Sequence, residues 1–447
     1  MIFIDFIWYG MQALAALLIA TGVLYVLKRW PISGAYVTGA IVLISWEVPN
    51  PAPLFTVAGM SIYFLDLFSF ALIGLSASKL LSKHRPRASF AWYFLVLVLL
   101  VSFIRGLLLF DTGEVVNEYR AFLYPASILI WSFCQDWRTL AEQMYRFALR
   151  LGWGLVVVAA YHVAKYGLGT AEDFIVTAGG DVGQTLRPLA SGQALTLVLC
   201  LLLVVHRPST RRLGRLATVG AFTLTVLLVQ QRTVWVAAIL GLLLCVALST
   251  ARVKLRLLIG AIGAGFVGLL LVASGVLDTA LGVLQRSSTD TGTYDARVVS
   301  WLALANQAIE RGPIDVLFGQ PFGSGYGRYE GAGRWVEFAP HNWYLTVFLR
   351  AGLLGLALLL GFCAIALIVA INRRAQIGIT PAAIIVIVMV YGWSYSWPWY
   401  VCLFLGWALA QRSAESDLSS TAVDRKLMRA HANTANVCAH YRLNSGR

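Results

Sequence analysis

Apolar residues fall in long unbroken runs near 4–27, 33–47, 57–80, 89–110, 121–135, 148–168, 188–206, 216–231, 234–250, 257–277, 343–371, 379–397 and 399–411, whereas 278–342 is polar and glycine-rich. A helix needs ~20 apolar residues to cross the hydrocarbon of a bilayer. Backbone polar groups in lipid must also pair within their own segment or in a closed barrel. The runs are continuous and do not alternate, so they predict helices. The expected fold is all-α: a polytopic integral membrane protein of about twelve or thirteen spans, the second and last being short.

Polar positions orient these spans. Lys28-Arg29, the basic run at 82–87, Arg138 with Arg146, the run at 207–215, Arg252, Lys254 and Arg256, and Arg373-Arg374 occupy every second connection. Lysine and arginine in short loops stay on the cytoplasmic side. The connections left facing outward are 48–56, 111–120, 169–187, the tight turn Gln230-Gln231-Arg232, the long segment 278–342 and the aromatic turn Trp397-Pro398-Trp399. The chain thus divides into membrane spans over 1–277, an outer segment over 278–342, C-terminal spans over 343–411 and a polar cytoplasmic tail over 412–447, whose composition predicts disorder. There is no internal repeat, nor the paired short, broken spans of many secondary transporters.

Composition agrees: 59% of the residues are apolar and 13% charged, against about 25% charged in a soluble domain. The net charge of +14 raises nucleic acid as a partner, but the basic residues are scattered through short connections, so topology accounts for them and no nucleic acid is expected. The first 27 residues have no basic leader and no small-residue cleavage site, and they read as a span, not a cleaved signal. Of the six cysteines, Cys134, Cys200, Cys245, Cys363 and Cys402 lie in or beside apolar runs and Cys438 in the tail. This pattern offers neither a disulfide framework nor a metal knuckle. No metal and no cofactor is expected.

In the outer segment, Val298, Leu302, Ala305 and Ile309 recur at helical spacing from Tyr294 to Arg311, and Gly312-Pro313 stops the helix. Arg297 and Trp301 fall one turn apart, so the indole is expected to stack on or orient the guanidinium. Six glycines between Gly319 and Gly333, with Tyr326, Arg328, Tyr329 and Arg334 among them, suit a lid or a surface fitted to a bulky ligand. The Gly-Ser-Gly-Tyr-Gly-Arg stretch at 323–328 resembles a nucleotide loop only superficially, since no predicted strand precedes it and it opens no helix.

His341-Asn342 stands immediately before the run that begins at Trp343; an interfacial anchor is the bland reading of that histidine. Arg232 changes the balance. It has almost no loop to lift it into water, and an arginine costs ~2.5 kcal/mol or more at mid-bilayer. The bland reading of Arg232 is snorkelling to headgroups. Arg187, in an outward loop, is a weaker candidate. Arg286, Arg311, Arg328 and Arg334 read as solvated loop residues or ion pairs, because Asp278, Asp290, Asp295, Glu310, Asp315, Glu330 and Glu337 share their segment. Arginines with one histidine at an outer membrane surface suit a lipid pyrophosphate. The planar fork of arginine binds phosphate oxygens and keeps its charge, and histidine takes a proton from an attacking hydroxyl.

These residues resemble the O-antigen ligase and O-antigen polymerase superfamily of bacterial envelopes. The family pattern His-[Asn/Ser/Gln], nine residues, Gly-x-x-Gly is met by His341-Asn342, Trp343 to Ala351, and Gly352-Leu353-Leu354-Gly355. Gln231-Arg232-Thr233 with Trp235 opens a span as the family's Ser-Arg-[Gly/Thr] does, with Gln231 in place of serine; Arg297-x-x-x-Trp301 resembles the start of its periplasmic helix. The resemblance covers residues 185–375 best. It implies a metal-independent, inverting glycosyltransferase in the bacterial inner membrane with its site facing the periplasm. The donor is an undecaprenyl-pyrophosphate-linked glycan, and the acceptor is lipid A–core for a ligase or a second lipid-linked repeat for a polymerase. It makes His341 the catalytic base and Arg232 and Arg297 pyrophosphate binders, with Arg187 beside them and Asn342 and Trp301 in support. The ligase is slightly preferred. A transporter or flippase is the alternative of another class. It predicts ionisable residues at mid-span, and only Arg105 and His162 stand out inside runs, both near outer ends.

Overall fold

The computed structural model describes residues 18, 21–45, 48, 51–57, 60–77, 79, 89–169, 174–176, 182–206, 212–251, 254, 282, 292–330 and 333–410. The run at 257–277, Arg286 and the tail 412–447 lie outside them, as does most of the first run. The described chain is mostly helical. After a helical stretch at 21–29, the helices are α1 (Ile32–Ile44), α2 (Phe64–Ala77), α3 (Ser89–Leu109), α4 (Thr112–Phe133), α5 (Ala141–Tyr166), α6 (Ser191–His206), α7 (Arg212–Leu228), α8 (Arg232–Leu248), α9 (Gly292–Glu310), α10 (Pro313–Phe318), α11 (Trp343–Asn372), α12 (Arg374–Ile377), α13 (Thr380–Gly392) and α14 (Val401–Leu409). Three antiparallel hairpins interrupt them: β1 (Phe55–Val57) with β2 (Met60–Ile62), β3 (Phe174–Val176) with β4 (Val182–Thr185), and β5 (Arg328–Glu330) with β6 (Arg334–Val336).

By length and composition, α3, α5 and α11 are apolar enough to cross a membrane; α1, α2, α6, α8, α13 and residues 213–228 of α7 are shorter apolar helices. Leu97, Val101 and Leu108 of α3 and Leu353, Leu360 and Ile368 of α11 are exposed although apolar, the pattern of a helix with one side turned to lipid. The opposite faces make one core. Helix α11 packs on α3 and α13, α13 on α8 and α14, α14 on α4, and α4 on α2. Trp92, Trp397 and Trp343 stack in that order at its centre, with centroids 6.4 and 5.6 Å apart.

Two expected boundaries move. The run at 57–80 becomes a helix only at Phe64, because residues 55–57 and 60–62 pair as β1–β2. The expected outward connection at 111–120 is instead the first turns of α4. Asp111 caps that helix, its carboxylate accepting from Gly113 N at 2.8 Å, and its polar residues find buried partners. Arg120 donates to both carboxylate oxygens of Asp66 at 2.9 Å and also pairs with Asn117 and the Ser61 carbonyl. Hydropathy ends a run where charges begin, but a helix continues when each charge is paired.

Helix α11 is two helices across a break at Gly352, where φ is 64° and ψ −164°. At this point the backbone of α10 lies against it: a Cβ on Gly352 would fall on Leu317 C and O and Phe318 N, and Gln320 N donates to Leu349 O at 2.8 Å. The break also tips the Ala351 methyl over Gly355, where a second Cβ would collide with it. The two glycines of the Gly-x-x-Gly pattern therefore have separate reasons, one conformational and one of space.

Candidate functional site

The site is assembled from five stretches far apart in sequence. The first is the tight turn between α7 and α8. Gln230 takes a positive φ of 57°, unusual for a residue with a side chain. The turn is held by Gln230 Nε2 donating to Gly169 O at 3.0 Å, and by the Trp235 indole donating to Val226 O at 2.9 Å, which satisfies a carbonyl of the last turn of α7. Arg232 is thereby fixed at the first residue of α8, half-buried, at the wall of a large cavity. Arg187, before α6, donates to Gln231 Oε1 at 3.4 Å. Burial and the nearby charges of Arg232 and Arg297 push the Arg187 guanidinium down from its ordinary value.

Helix α9 brings Arg297, which donates to Ser394 O at 3.4 Å and lies over the Tyr395 ring at 5.0 Å from its centroid. The expected aromatic partner, Trp301, has another place: it packs edge-on against Trp393 at 6.1 Å and Tyr294 at 6.0 Å. One helical turn proved too coarse a measure, because a flat ring from the α13–α14 turn reaches the guanidinium. Tyr395 joins the rest of the site. Its hydroxyl lies 3.3 Å from Gln231 Oε1, and its ring is 6.0 Å from that of His341.

The position of His341 is fixed by its neighbour in the chain. Asn342 is the N-cap of α11, its side-chain oxygen accepting from Leu345 N at 3.0 Å, so the histidine lies one residue outside a rigid helix. Desolvation by surrounding side chains, then the charges of Arg297 and Arg328, lower its imidazole to about 4. With that lowered value the ring is neutral near pH 7, and because the residue is exposed it is also reachable.

Next to this polar cluster is the cavity, of about 750 Å³, lined by Arg232, Thr233 and Val236 of α8, Tyr294 of α9, Tyr344, Leu356 and Leu360 of α11, and residues 389, 390, 393 and 394. Its walls are overwhelmingly apolar. Arg187 and Arg297 donate to neutral acceptors, the Gln231 amide and the Ser394 carbonyl, so these bonds leave their charge unneutralised. Beside them are a neutral imidazole and an apolar chamber. The arrangement can hold an anion attached to a long apolar chain and accept a proton next to it. Among the described residues, no group of three or more His, Cys, Asp or Glu is placed to hold a metal ion.

Sequence reasoning misses several residues that shape the site. Tyr395 falls inside the apolar run 379–397 and gives no signal, and Gln231 stands out only as the residue in place of the family's serine. Arg328 belongs to the glycine-rich stretch and is expected on a solvated face or in an ion pair; the solvated face is ruled out, since it is buried, pairing with Ser300 and donating to Tyr326 O at 2.9 Å and Phe338 O at 2.8 Å. Nor does 319–326 form a mobile lid. Phe322 is buried edge-on between Tyr119 and Phe122 at 5.3 Å. Glu118 accepts from Gly323 N at 3.0 Å, Gly325 N at 2.9 Å and Arg350 Nε at 2.9 Å, while Arg350 donates to Gly325 O at 2.7 Å. A carboxylate thus takes the glycine amides that a nucleotide loop would offer to phosphate. Arg350 and Asp66 add to Arg105 and His162 as ionisable residues inside apolar runs, but each is paired, with Glu118 and Arg120. Arg105 donates to Gly319 O at 3.1 Å.

No protein-family model matches the chain, and no curated protein matches it.

Proposed function

We propose that this is a polytopic membrane glycan transferase of the O-antigen ligase and polymerase type, with about twelve or thirteen spans and its site on the periplasmic face of a bacterial inner membrane. The observation that carries the reading is the gathering of Arg187, Arg297 and His341 around Tyr395, with Arg232 next in the chain to Gln231 on the wall of a large apolar cavity. The cavity takes part of the polyprenyl chain, and the guanidiniums take the pyrophosphate. The acceptor hydroxyl gives its proton to the neutral imidazole of His341 as its oxygen bonds to the anomeric carbon of the donor sugar. The bond from that carbon to the pyrophosphate oxygen breaks, and its electron pair leaves with the pyrophosphate, whose charge the arginines stabilise. A single displacement inverts the carbon. The reaction draws on the donor's own sugar–phosphate bond, and no step calls on a metal or nucleotide.

His341→Ala should abolish transfer while leaving the protein in the membrane at wild-type level; near-normal transfer by this variant sinks the assignment. Ligase and polymerase share the chemistry and differ in acceptor, and the complete histidine and glycine pattern favours the ligase with lipid A–core. Deleting the gene separates them. Loss of all long-chain lipopolysaccharide with accumulated lipid-linked polymer identifies the ligase, and one-repeat lipopolysaccharide identifies the polymerase. No change in either favours a different polymer as substrate, or the transporter or flippase reading, against which the pairing of Asp66 and Arg350 already counts.

A further inference from the structure

The β5–β6 hairpin displays two aromatic rings without burying either. Its register sets Arg328 opposite Val336 and Tyr329 opposite Trp335. Because side chains alternate across a strand, the first pair turns inward and is buried, and the second turns outward, with Tyr329 66% and Trp335 49% exposed. Such residues normally rotate freely in water, but these are fixed. The two rings meet edge to face at 4.9 Å, and the Trp335 indole N–H donates to Glu337 Oε1 at 2.7 Å. One side of the indole lies on Gly327, where any Cβ would strike the ring. Three contacts thus hold the orientation of a half-exposed tryptophan, and burial accounts for none of them.

We infer that this surface is a saccharide-binding subsite, on which a pyranose ring of the glycan substrate stacks its C–H face. The other ring surface of Trp335 takes the sugar's C–H bonds, whose weakly positive hydrogens face the negative face of the π-system. The Glu337 carboxylate at the indole edge accepts from the sugar's hydroxyls. Charge argues for a sugar and against lipid: the Glu337 carboxylate lies exposed at the indole edge, and a carboxylate is costly to place in hydrocarbon. The surface is continuous with the site. Phe338 follows Glu337, its carbonyl accepts from Arg328, and its ring is 5.9 Å from that of His341. Trp335 is six residues from His341, no more than about 20 Å of extended chain. The subsite therefore holds a sugar near the reacting one and supplies affinity for the glycan, not chemistry. This inference rests on the glycan-transferase reading.

The test uses the full-length protein in nanodiscs and, as probe, water-soluble polysaccharide released by mild acid from the producing cells, with binding followed by saturation-transfer NMR. Trp335→Ala should bind about tenfold more weakly than wild type, the loss of one aromatic stacking contact, and Trp335→Phe should recover most of the affinity. Equal binding by Trp335→Ala and wild type overturns the subsite while leaving transfer by His341 untouched. Trp335-dependent binding in a protein with no transferase activity upholds the subsite and removes the function proposed above. If brominated lipid quenches the fluorescence that wild type has and Trp335→Phe lacks, the ring faces the bilayer and the inference falls.

Discussion

Replacing Gly352 with alanine removes the one backbone freedom that lets α11 break beneath α10. The φ of 64° and ψ of −164° lie where essentially only glycine rests, and holding another residue there costs about 1–3 kcal/mol. The new methyl also falls on main-chain atoms of Leu317 and Phe318, which no rotamer change can clear, adding about 1–3 kcal/mol of overpacking. Together these put Gly352→Ala at roughly 2–6 kcal/mol, reaching the range of exceptional single substitutions. Gly355→Ala meets a side chain instead, the methyl of Ala351. It should gain about 1 kcal/mol of helix propensity and lose about 1–3 kcal/mol to crowding. Deleting the opposing methyl relieves that crowding, so Gly355→Ala with Ala351→Gly should be less destabilised than the sum of the single changes by about 1–3 kcal/mol. Combining Gly352→Ala with Ala351→Gly should bring no relief. Thermal unfolding of the purified single and double variants in detergent, read by fluorescence-detected size exclusion, measures each effect against wild type. A wild-type melting temperature for Gly352→Ala, or plain additivity in the Gly355 cycle, refutes the account of the motif.

Glu118→Gln strips the buried Arg350 of its charge partner and should destabilise the protein by about 3–5 kcal/mol, whereas Glu118→Leu with Arg350→Met should melt closer to wild type; the order of the melting temperatures decides. Arg328→Met leaves the Tyr326 and Phe338 carbonyls without their donor and should cost about 2 kcal/mol or more. Limited proteolysis should then cut within 319–340 faster than in wild type, and unchanged cleavage counts against a buried anchoring role. The depressed His341 value fixes a sign. The folded state holds the neutral ring down to about pH 4 while the unfolded chain protonates near pH 6.5, so its share of stability is complete above pH 6.5 and is lost as the pH falls toward 4. Diethylpyrocarbonate, which modifies only neutral imidazole, should still label His341 at pH 5; Arg297→Gln removes a neighbouring positive charge and should move the loss of labelling to higher pH. A labelling profile centred on the ordinary histidine value in both proteins contradicts the electrostatics.

The residues that chemistry singles out were legible because each breaks a local rule. Arg232 is a cation with no loop to carry it, and His341 is a titratable ring at the start of an apolar run. The helix of Arg297 was legible from its period and stop, and it runs from Gly292 to Glu310. What the sequence concealed is mutual position. Nothing local says that Arg297 chooses Tyr395 over Trp301, since the choice depends on a turn about one hundred residues later. Arg350 escaped notice because its run is otherwise so apolar, and its partner Glu118 lay in a stretch expected to be a loop. Glycine-rich 319–326 misled in the opposite direction. Glycine frees a backbone in isolation, but it also lets a backbone approach closely enough to be pinned, and Phe322 and Glu118 pin this one.

Tyr395 has a temporal meaning as well as a spatial one. The guanidiniums at 187, 232 and 297 are synthesised first, those at 232 and 297 bearing on that at 187, and the ring that meets Arg297 and Arg187 arrives only with the turn between α13 and α14. A growing chain emerges from its N-terminus, so until residue 395 is in place the cations have no common scaffold and His341 has only the Phe338 ring beside it. The cluster is then completed only near the end of synthesis, and under the proposed function an unfinished chain lacks the arrangement that transfer needs.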